Sequence, residues 1–183
     1  MPAAVPPQAV RTSPPRNLVT LVIVPYVALC ASHESALREI AWGQVRCATV
    51  NTWTPPRAVE EWLFGHDVPD VILITPEALA QPQGRCMVNA LAYASRLRAI
   101  VIDEVQCILS QKAFRPALNI AYAWRREGVP IIGLSGTLPS PLTAVLAEEM
   151  LFRSTGSYHV VRGEMDRANV SYRVEQTALN TIM

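Results

Sequence analysis

The sequence predicts an α/β protein built on a mostly parallel sheet with helices on both faces. Short runs of Val, Ile and Leu alternate along the 183 residues with segments in which apolar residues recur at helical spacing. These runs are nearly continuous, which suits strands that are buried on both faces. Half of the residues are hydrophobic and 17% are charged, a composition that argues against a disordered chain and favours one compact core.

Four strands are predicted at residues 18–24, 71–74, 97–102 and 129–134, and a weaker one at residues 45–50. A helix is expected near residues 57–64. Three further helices are indicated by apolar residues three or four positions apart, a spacing typical of a helix face that packs on a sheet. Their marker residues are Leu29, His33, Ala36, Leu37 and Ile40, then Leu118, Ala121 and Tyr122, and finally Leu142, Val145 and Leu146.

Histidine and cysteine do not predict a metal site. His33 lies on an apolar helix stripe with no acidic partner at ligand spacing, so a buried, hydrogen-bonded histidine is expected. His66 and His159 stand alone in expected loops. The four cysteines contain no C-x-x-C pair, which argues against zinc and against a dense disulfide framework.

The first seventeen residues contain five prolines and few large apolar groups, so residues 1–17 are predicted to form an extended leader outside the core. Residues 18–31 are apolar, but the run is too short to cross a bilayer and contains Pro25. It predicts a buried strand that enters a helix. We expect neither membrane insertion nor secretion, and a nuclear or cytoplasmic location, between which the sequence does not choose.

Each clear strand runs into a polar or proline-marked segment. In open parallel sheets, ligands bind beyond the carboxyl ends of the strands, so one edge of the sheet is predicted to carry the function. The net charge of +1 provides no global field for a polyanion, and nucleic-acid contacts would have to be local. The segments are Pro25-Tyr26-Val27-Ala28-Leu29, Thr75-Pro76-Glu77, Asp103-Glu104-Val105-Gln106 and Ser135-Gly136-Thr137.

Asp103 and Glu104 are adjacent carboxylates at the end of a buried strand. One interpretation is a nucleotide site in which an aspartate holds Mg²⁺ and its neighbour acts on the attacking water. The other is a capped helix start, because aspartate at such junctions accepts backbone N–H bonds. The pair alone does not decide between them, and the series of strand endings favours the first.

The four endings, in this order and spacing, resemble motifs Ia, Ib, II and III of the first RecA-like domain of RecQ-type, superfamily-two DNA helicases. Cys107 and Phe114-Arg115-Pro116 match the residues around that family's aromatic-rich loop. The similarity extends to residues 169–174, which look like the strand leading into the second motor domain. It implies a partial RecA-like domain at residues 18–162, incomplete at its N-terminus, and the start of a linker at residues 163–183.

The resemblance also implies roles for individual residues. Asp103 would bind Mg²⁺, Glu104 would act on the hydrolytic water, and Gln106 stands where the family usually has histidine and would relay nucleotide state to Ser135-Gly136-Thr137. ATP is the implied nucleotide. Residues implied to contact single-stranded DNA are Pro25, Tyr26, Thr75, Pro76, Glu77, Phe114 and Arg115.

Three departures from the family pattern limit the expected activity. The family's phosphate-binding loop needs a lysine upstream of motif Ia, but Lys112 is the single lysine and residues 1–17 lack glycine. The second RecA-like domain, with its catalytic arginine, is missing too. Residues 108–113 lack the tryptophan and histidine that the family's loop presents to DNA. We therefore expect weak binding of single-stranded DNA, and neither ATP hydrolysis nor 3'-5' unwinding by this chain alone.

Two other classes of protein stay open. The same fold could serve as a non-catalytic module that binds nucleic acid or a protein partner. An unrelated doubly wound enzyme has less support, because neither G-x-G-x-x-G nor G-x-S-x-G occurs in the sequence. A structure with Asp103 and Ser135 on opposite edges of the sheet would favour that third class, and strand tips scattered over different faces would contradict the helicase interpretation.

Overall fold

The computed structural model describes residues 18–40, 44–64, 68–150 and 158–163, together with Ser171 and Arg173. The predicted leader, residues 1–17, and nearly all of the predicted linker, residues 163–183, lie outside this part of the chain, as does His66. In chain order the elements are β1 Val19–Ile23, α1 Val27–Ile40, β2 Cys47–Val50, α2 Pro56–Phe64, β3 Val71–Ile74, α3 Pro76–Ala80, α4 Pro82–Tyr93, β4 Leu97–Ile102, α5 Cys107–Ser110, a 3₁₀ helix Pro116–Trp124, β5 Ile131–Gly133 and α6 Leu142–Glu149.

The five strands form one parallel sheet in the order β2-β3-β1-β4-β5. Ile23 at the end of β1 lies beside Ile74 of β3 on one side and Ile102 of β4 on the other. This architecture confirms the predicted α/β class and mostly parallel sheet. Because every pair is parallel, the segments that follow the strands all leave from one edge.

Apolar clusters cover both faces of the sheet. On one face, strand residues such as Leu21 and Ile100 pack with Met87 and Leu91 of α4. On the other face, a smaller cluster joins Leu73 to Cys30 of α1. Each fully buried large side chain contributes roughly 1.5–3 kcal/mol, so these clusters hold the strands in register.

The segment between β3 and α4, which contains the short helix α3, is closely packed. The Thr75 hydroxyl accepts a hydrogen bond from the Ala78 N–H at 3.3 Å and so caps α3. Gly84, in the first turn of α4, packs so closely on α3 that an added Cβ would lie 2.2 Å from the carbonyl oxygen of Ala78. The sequence analysis did not predict α4, whose Met87, Val88 and Leu91 pack into the core.

Several local expectations were wrong. The last strand is shorter than residues 129–134 and is not buried on both faces, because it forms the end of the described sheet and leaves Ile132 and Leu134 about half exposed. The helix after Pro116 is 3₁₀ rather than α. On α1, Ala36 and Ile40 are exposed, so the buried stripe is narrower than its apolar pattern indicated. No helix within the described residues is long and apolar enough to cross a membrane.

Candidate functional site

The ends of the central strands are joined by backbone hydrogen bonds that continue past the sheet. The N–H of Asp103 donates to the carbonyl oxygen of Ile23 at 2.9 Å. The N–H of Val24 donates to the carbonyl oxygen of Ile74 at 2.9 Å, and the N–H of Thr75 donates to that of Val50 at 3.4 Å. These bonds bring together the tips of four strands, β2, β3, β1 and β4.

The tip of β5 joins the same row. The N–H of Leu134 donates to the carbonyl oxygen of Ile102 at 2.8 Å, and the N–H of Val105 donates to the carbonyl oxygen of Leu134 at 2.9 Å. Asp103-Glu104 and Ser135-Gly136-Thr137 are therefore held side by side through the main chain. The expectation that the four polar segments gather at one edge agrees with this geometry. Asp103 and Ser135 lie at the same edge of the sheet, which counts against an unrelated doubly wound enzyme.

The two carboxylates have different environments. The Oδ1 atom of Asp103 accepts a hydrogen bond from the Glu104 N–H at 3.0 Å, and its Oδ2 atom lies 2.8 Å from Nε2 of His33. The Glu104 carboxylate accepts a hydrogen bond from the Gln106 side-chain amide. Glu104 also has φ +46°, a left-handed backbone conformation that few residues with a side chain adopt and that often marks functional positions.

His33 is therefore not the buried core residue that the sequence analysis expected. Its side chain is 40% exposed and pairs with Asp103, which lies 70 residues further along the chain. Helical spacing places His33 on the inner side of α1 but carries no information about which residue stands opposite. The sequence signal that could have indicated a polar partner for His33 is the presence of this polar side chain on an apolar helix stripe.

Among the described residues, the Gln106 side chain makes no hydrogen bond to the turn after β5. Its amide nitrogen is bonded to Glu104, and its Oε1 atom is buried without a hydrogen-bond partner among the described residues. Ser135 instead accepts a hydrogen bond from the Thr137 N–H at 3.1 Å, which closes the turn on itself. The expected relay from Gln106 to Ser135-Gly136-Thr137 thus has a main-chain link through Val105 but no side-chain link in this conformation.

Arg115 connects the segments that follow three strands. Its guanidinium donates to the Glu77 carboxylate at 2.7 and 3.0 Å, to the carbonyl oxygen of Pro25 at 2.8 Å and to Oε1 of Gln111 at 2.9 Å. It also lies 5.4 Å from the centre of the Tyr26 ring, within the range of a cation–π contact. Arg115 and Glu77 therefore neutralise each other and act first as structural partners.

Apolar and aromatic side chains remain exposed along this edge. Tyr26 is 46% exposed, Val27 is 45% exposed and Phe114 is 70% exposed. Of the expected DNA contacts, Thr75 and Pro76 are buried, so these two residues can offer little side-chain surface. The free ring surface of Tyr26 and Phe114 is the part of the expected interface that a nucleotide base could reach.

Trp53 adds an aromatic group that the sequence analysis missed. It is 79% exposed and lies in the turn that follows β2. That turn is fixed by the Asn51 side chain, which accepts a hydrogen bond from the Trp53 N–H at 2.9 Å, and by the Thr54 hydroxyl, which accepts one from the Asn51 N–H at 2.9 Å. A tryptophan inside an Asn-x-x-Thr turn after a strand was the signal for it.

The donor set suits magnesium better than a nucleotide. Carboxylate oxygens, as supplied by Asp103 and Glu104, are the ligands that Mg²⁺ prefers. The single lysine of the chain, Lys112, is paired with Glu149 of α6. Within the described residues, no group of three or more His, Cys, Asp or Glu side chains is arranged to hold a metal. Magnesium would thus need further ligands from water or from phosphate.

A cavity of about 770 Å³ lies beside β5 rather than over the carboxylates. It is lined by Ser135 and Gly136 from the turn, by β5 and α6, and by residues 158–163. Arg162 at its rim donates to the carbonyl oxygen of Leu138 at 3.1 Å. Asp103, Glu104 and Gln106 do not line this space, so the cavity is separate from the carboxylates at the strand tips.

Comparison with known proteins agrees with this architecture. The family model described as DEAD/DEAH box helicase matches residues 5–145. The fold is similar to that of the Mycobacterium smegmatis helicase Lhr bound to ssDNA and AMP-PNP, with 22% identity, a TM-score of 0.54, and coverage of 75% of this chain and 18% of that chain. It is also similar to the DUF1998 helicase MrfA bound to DNA and AMPPNP, with 19% identity, a TM-score of 0.51, and coverage of 73% and 19%. The chain spans about a fifth of the length of these proteins.

Proposed function

This chain belongs to the DEAD/DEAH box helicase family, and we propose that its described residues correspond to the first motor domain of a RecQ-like DNA helicase. In this proposal it binds single-stranded DNA across the strand tips and keeps the carboxylates of a Mg²⁺-nucleotide site. The observation that carries the proposal is the row of hydrogen bonds between the tips, which places Asp103 next to the end of β1 and near the Pro25-Tyr26 turn.

The RecQ-like assignment is supported by residues after β4. Cys107 begins α5, and Phe114-Arg115-Pro116 follows it, as in the RecQ-type pattern. Arg115 ties this segment to Pro25 and Glu77, so the aromatic Phe114 is held near the turns after β1 and β3. Other DEAD/DEAH helicases share the acidic motif, and these flanking residues are what favour RecQ.

The proposed DNA surface combines aromatic rings with a neutralised arginine. Bases would stack on Trp53, Tyr26 and Phe114, since base–aromatic stacking contributes about 1–3 kcal/mol per base without sequence preference. Backbone amides of the turns would contact phosphates. With the formal charge at +1, affinity should be low, near the roughly 10⁻⁴ to 10⁻⁶ M of non-specific complexes.

The nucleotide part of the proposal is limited to the chain's own residues. Asp103 would hold Mg²⁺. Glu104 would accept a proton from the attacking water once the Gln106 amide no longer donates a hydrogen bond to its carboxylate. When bound, ATP would supply the phosphoryl group, and Mg²⁺ would neutralise part of the negative charge on the phosphates. The chain provides no phosphate-binding lysine, and an arginine from a second motor domain contributes about 10³ to 10⁵ in rate. Hydrolysis and unwinding by this chain alone are therefore not expected.

Binding measurements test the proposal directly. Fluorescence anisotropy with a labelled oligonucleotide should show saturable binding that weakens with salt, and calorimetry should show Mg²⁺-dependent binding of ADP. DNA binding without any nucleotide binding would favour the second candidate, a non-catalytic nucleic-acid module. The pairing of the single lysine with Glu149 is the observation that supports that candidate. Absence of both activities would rule out both candidates.

A further inference from the structure

The contact between His33 and Asp103 links a helix to the acidic motif. Nε2 of His33 lies 2.8 Å from Oδ2 of Asp103, and Oδ1 of the same carboxylate accepts the Glu104 N–H at 3.0 Å. Among the described residues, each oxygen of Asp103 therefore has one hydrogen-bond partner, and the two partners approach from different parts of the chain. Together they fix the plane of the carboxylate.

The contact between His33 and Asp103 contributes little to the stability of the fold. The His33 side chain is 40% exposed and that of Asp103 is 20% exposed, and ion pairs near the surface contribute little to folding because water and salt screen them. The main effect of the contact is on the orientation of the Asp103 carboxylate. A carboxylate that ligates a metal is commonly fixed by a hydrogen bond from a neighbouring side chain, and loss of that neighbour typically weakens metal binding by about 10- to 100-fold.

We infer that His33 is a positioning residue for Asp103, donating a hydrogen bond that holds the carboxylate ready for a divalent ion. The inference rests on the part of the proposed function that assigns Mg²⁺ to Asp103. Neutral imidazole carries one N–H, which can lie on Nε2, so the contact needs no charge on His33. Each carboxylate oxygen has two lone pairs, and the one that accepts from His33 can still bind a metal ion.

The position of His33 in α1 gives the contact its geometry. Cys30, one turn before His33, is buried in the cluster under α1, and Leu29 packs against the same cluster. These contacts anchor the helix on the sheet. The hydrogen bond between the N–H of Asp103 and the carbonyl oxygen of Ile23 fixes the other partner. Packing of α1 thus sets one end of the His33–Asp103 contact, and a main-chain hydrogen bond to the end of β1 sets the other.

Mn²⁺ is a suitable probe, because it takes the same oxygen ligands as Mg²⁺ and its free concentration can be read by electron paramagnetic resonance. The titration is done without nucleotide or DNA, at one fixed pH, on the wild-type chain and on His33→Ala, His33→Gln and Asp103→Asn. Asp103→Asn should abolish the binding. His33→Ala should weaken it about 10-fold, and His33→Gln should recover most of the loss because its amide N–H can donate to Asp103. His159→Ala, at the other described histidine, should match the wild type.

A second measurement reads the contact itself. In the metal-free chain, Asp103→Asn should shift the ring resonances of His33 in a nuclear magnetic resonance spectrum and leave those of His159 unchanged. The inference fails if His33→Ala binds Mn²⁺ as well as the wild type, if His33→Gln is as weak as His33→Ala, or if the wild type binds none. DNA binding is measured separately, so DNA binding with no effect of His33 on Mn²⁺ would leave the DNA part of the proposed function standing. Mn²⁺ binding that depends on His33, found together with no DNA binding, would support the inference and contradict the DNA part of the proposed function.

Discussion

The Arg115 guanidinium and the Glu77 carboxylate form a forked pair: Nη2 lies 2.7 Å from Oε1 and 3.0 Å from Oε2 of Glu77, and Nε lies 3.0 Å from Oε1. Since Nη2 also donates to the carbonyl oxygen of Pro25, one side chain joins the segments that follow β1, β3 and β4. The planar fork of arginine suits this task, whereas a lysine can offer only a point charge.

Loss of Arg115 should destabilise the fold. Arg115→Ala leaves the carbonyl oxygen of Pro25 and part of the Glu77 carboxylate without a partner, and we expect the free energy of unfolding to fall by about 1–2 kcal/mol, a figure reduced because Glu77 is 43% exposed. Arg115→Lys should recover only part of this loss, because it keeps the charge and loses the fork. Urea denaturation measures both. Full recovery by lysine would show that charge alone matters.

Gly84 should not tolerate a side chain. An added Cβ would lie 2.2 Å from the Ala78 carbonyl oxygen and 2.9 Å from the Leu79 Cα, both backbone atoms, so α3 and α4 would have to separate. Gly84→Ala should lower the free energy of unfolding by about 1–3 kcal/mol, the usual range for overpacking. The matched control is Gly136→Ala, at an exposed site with no atom within 4 Å of the added Cβ, which should change stability little. Equal effects in thermal denaturation would contradict the close contact.

Trp53 should contribute to binding of single-stranded DNA. Removing one stacking ring costs about 1–3 kcal/mol, so Trp53→Ala should raise the dissociation constant roughly 5- to 150-fold, and Trp53→Phe should lose less. Tyr93→Ala is the control, because Tyr93 is 95% exposed but lies before β4, at the opposite edge of the sheet. Anisotropy with a labelled oligonucleotide gives the constants. A similar loss in both alanine variants would place the DNA elsewhere.

The Cys47 thiol should react slowly with alkylating agents. Burial, together with the nearby carboxylate of Glu34, raises its pKa from the ordinary value of 9.0 to about 11. The thiolate is the reactive form, so at pH 8 iodoacetamide should modify the exposed Cys86 well before Cys47, and the rate at Cys47 should climb toward pH 11. Mass spectrometry of a time course at several pH values gives the order.

The same shift predicts a change in stability with pH. Because the folded state raises the pKa of Cys47, its contribution to stability is fully present below pH 9 and is lost as the pH rises from 9 to about 11. Cys47→Ser should remove this part of the alkaline dependence of the free energy of unfolding. Modification of Cys47 at pH 8 as fast as that of Cys86 would argue against the raised pKa.

The sheet and the edge at which the polar segments gather could be predicted from the sequence because their signals are local. Runs such as Val71–Ile74 are too apolar and too short to be anything but buried strands, and the polar residues after them then share an edge. The helix α4 was missed because it opens with Pro82, a glutamine and Gly84, which are typical of a turn.

The side-chain contacts across the site could not be predicted from local sequence patterns, because they join residues that are far apart in the chain. His33 and Asp103 are 70 residues apart, and Arg115 and Glu77 are 38 residues apart. Their pairing depends on the path of α1 and on the loop after α5, neither of which periodicity specifies. For the same reason, the family resemblance implied a DNA contact for Arg115 without indicating that its guanidinium is hydrogen-bonded to Glu77 and Pro25.

The positive φ of Glu104 has an evolutionary consequence. Glycine adopts this backbone geometry without steric cost, whereas a residue with a side chain is strained there by an amount on the order of 1–3 kcal/mol. Selection for stability alone would therefore favour Glu104→Gly, and selection for the proposed nucleotide chemistry would oppose it. A descendant released from the second pressure should lose the carboxylate at this position early, which makes position 104 a marker for whether a lineage uses the proposed site.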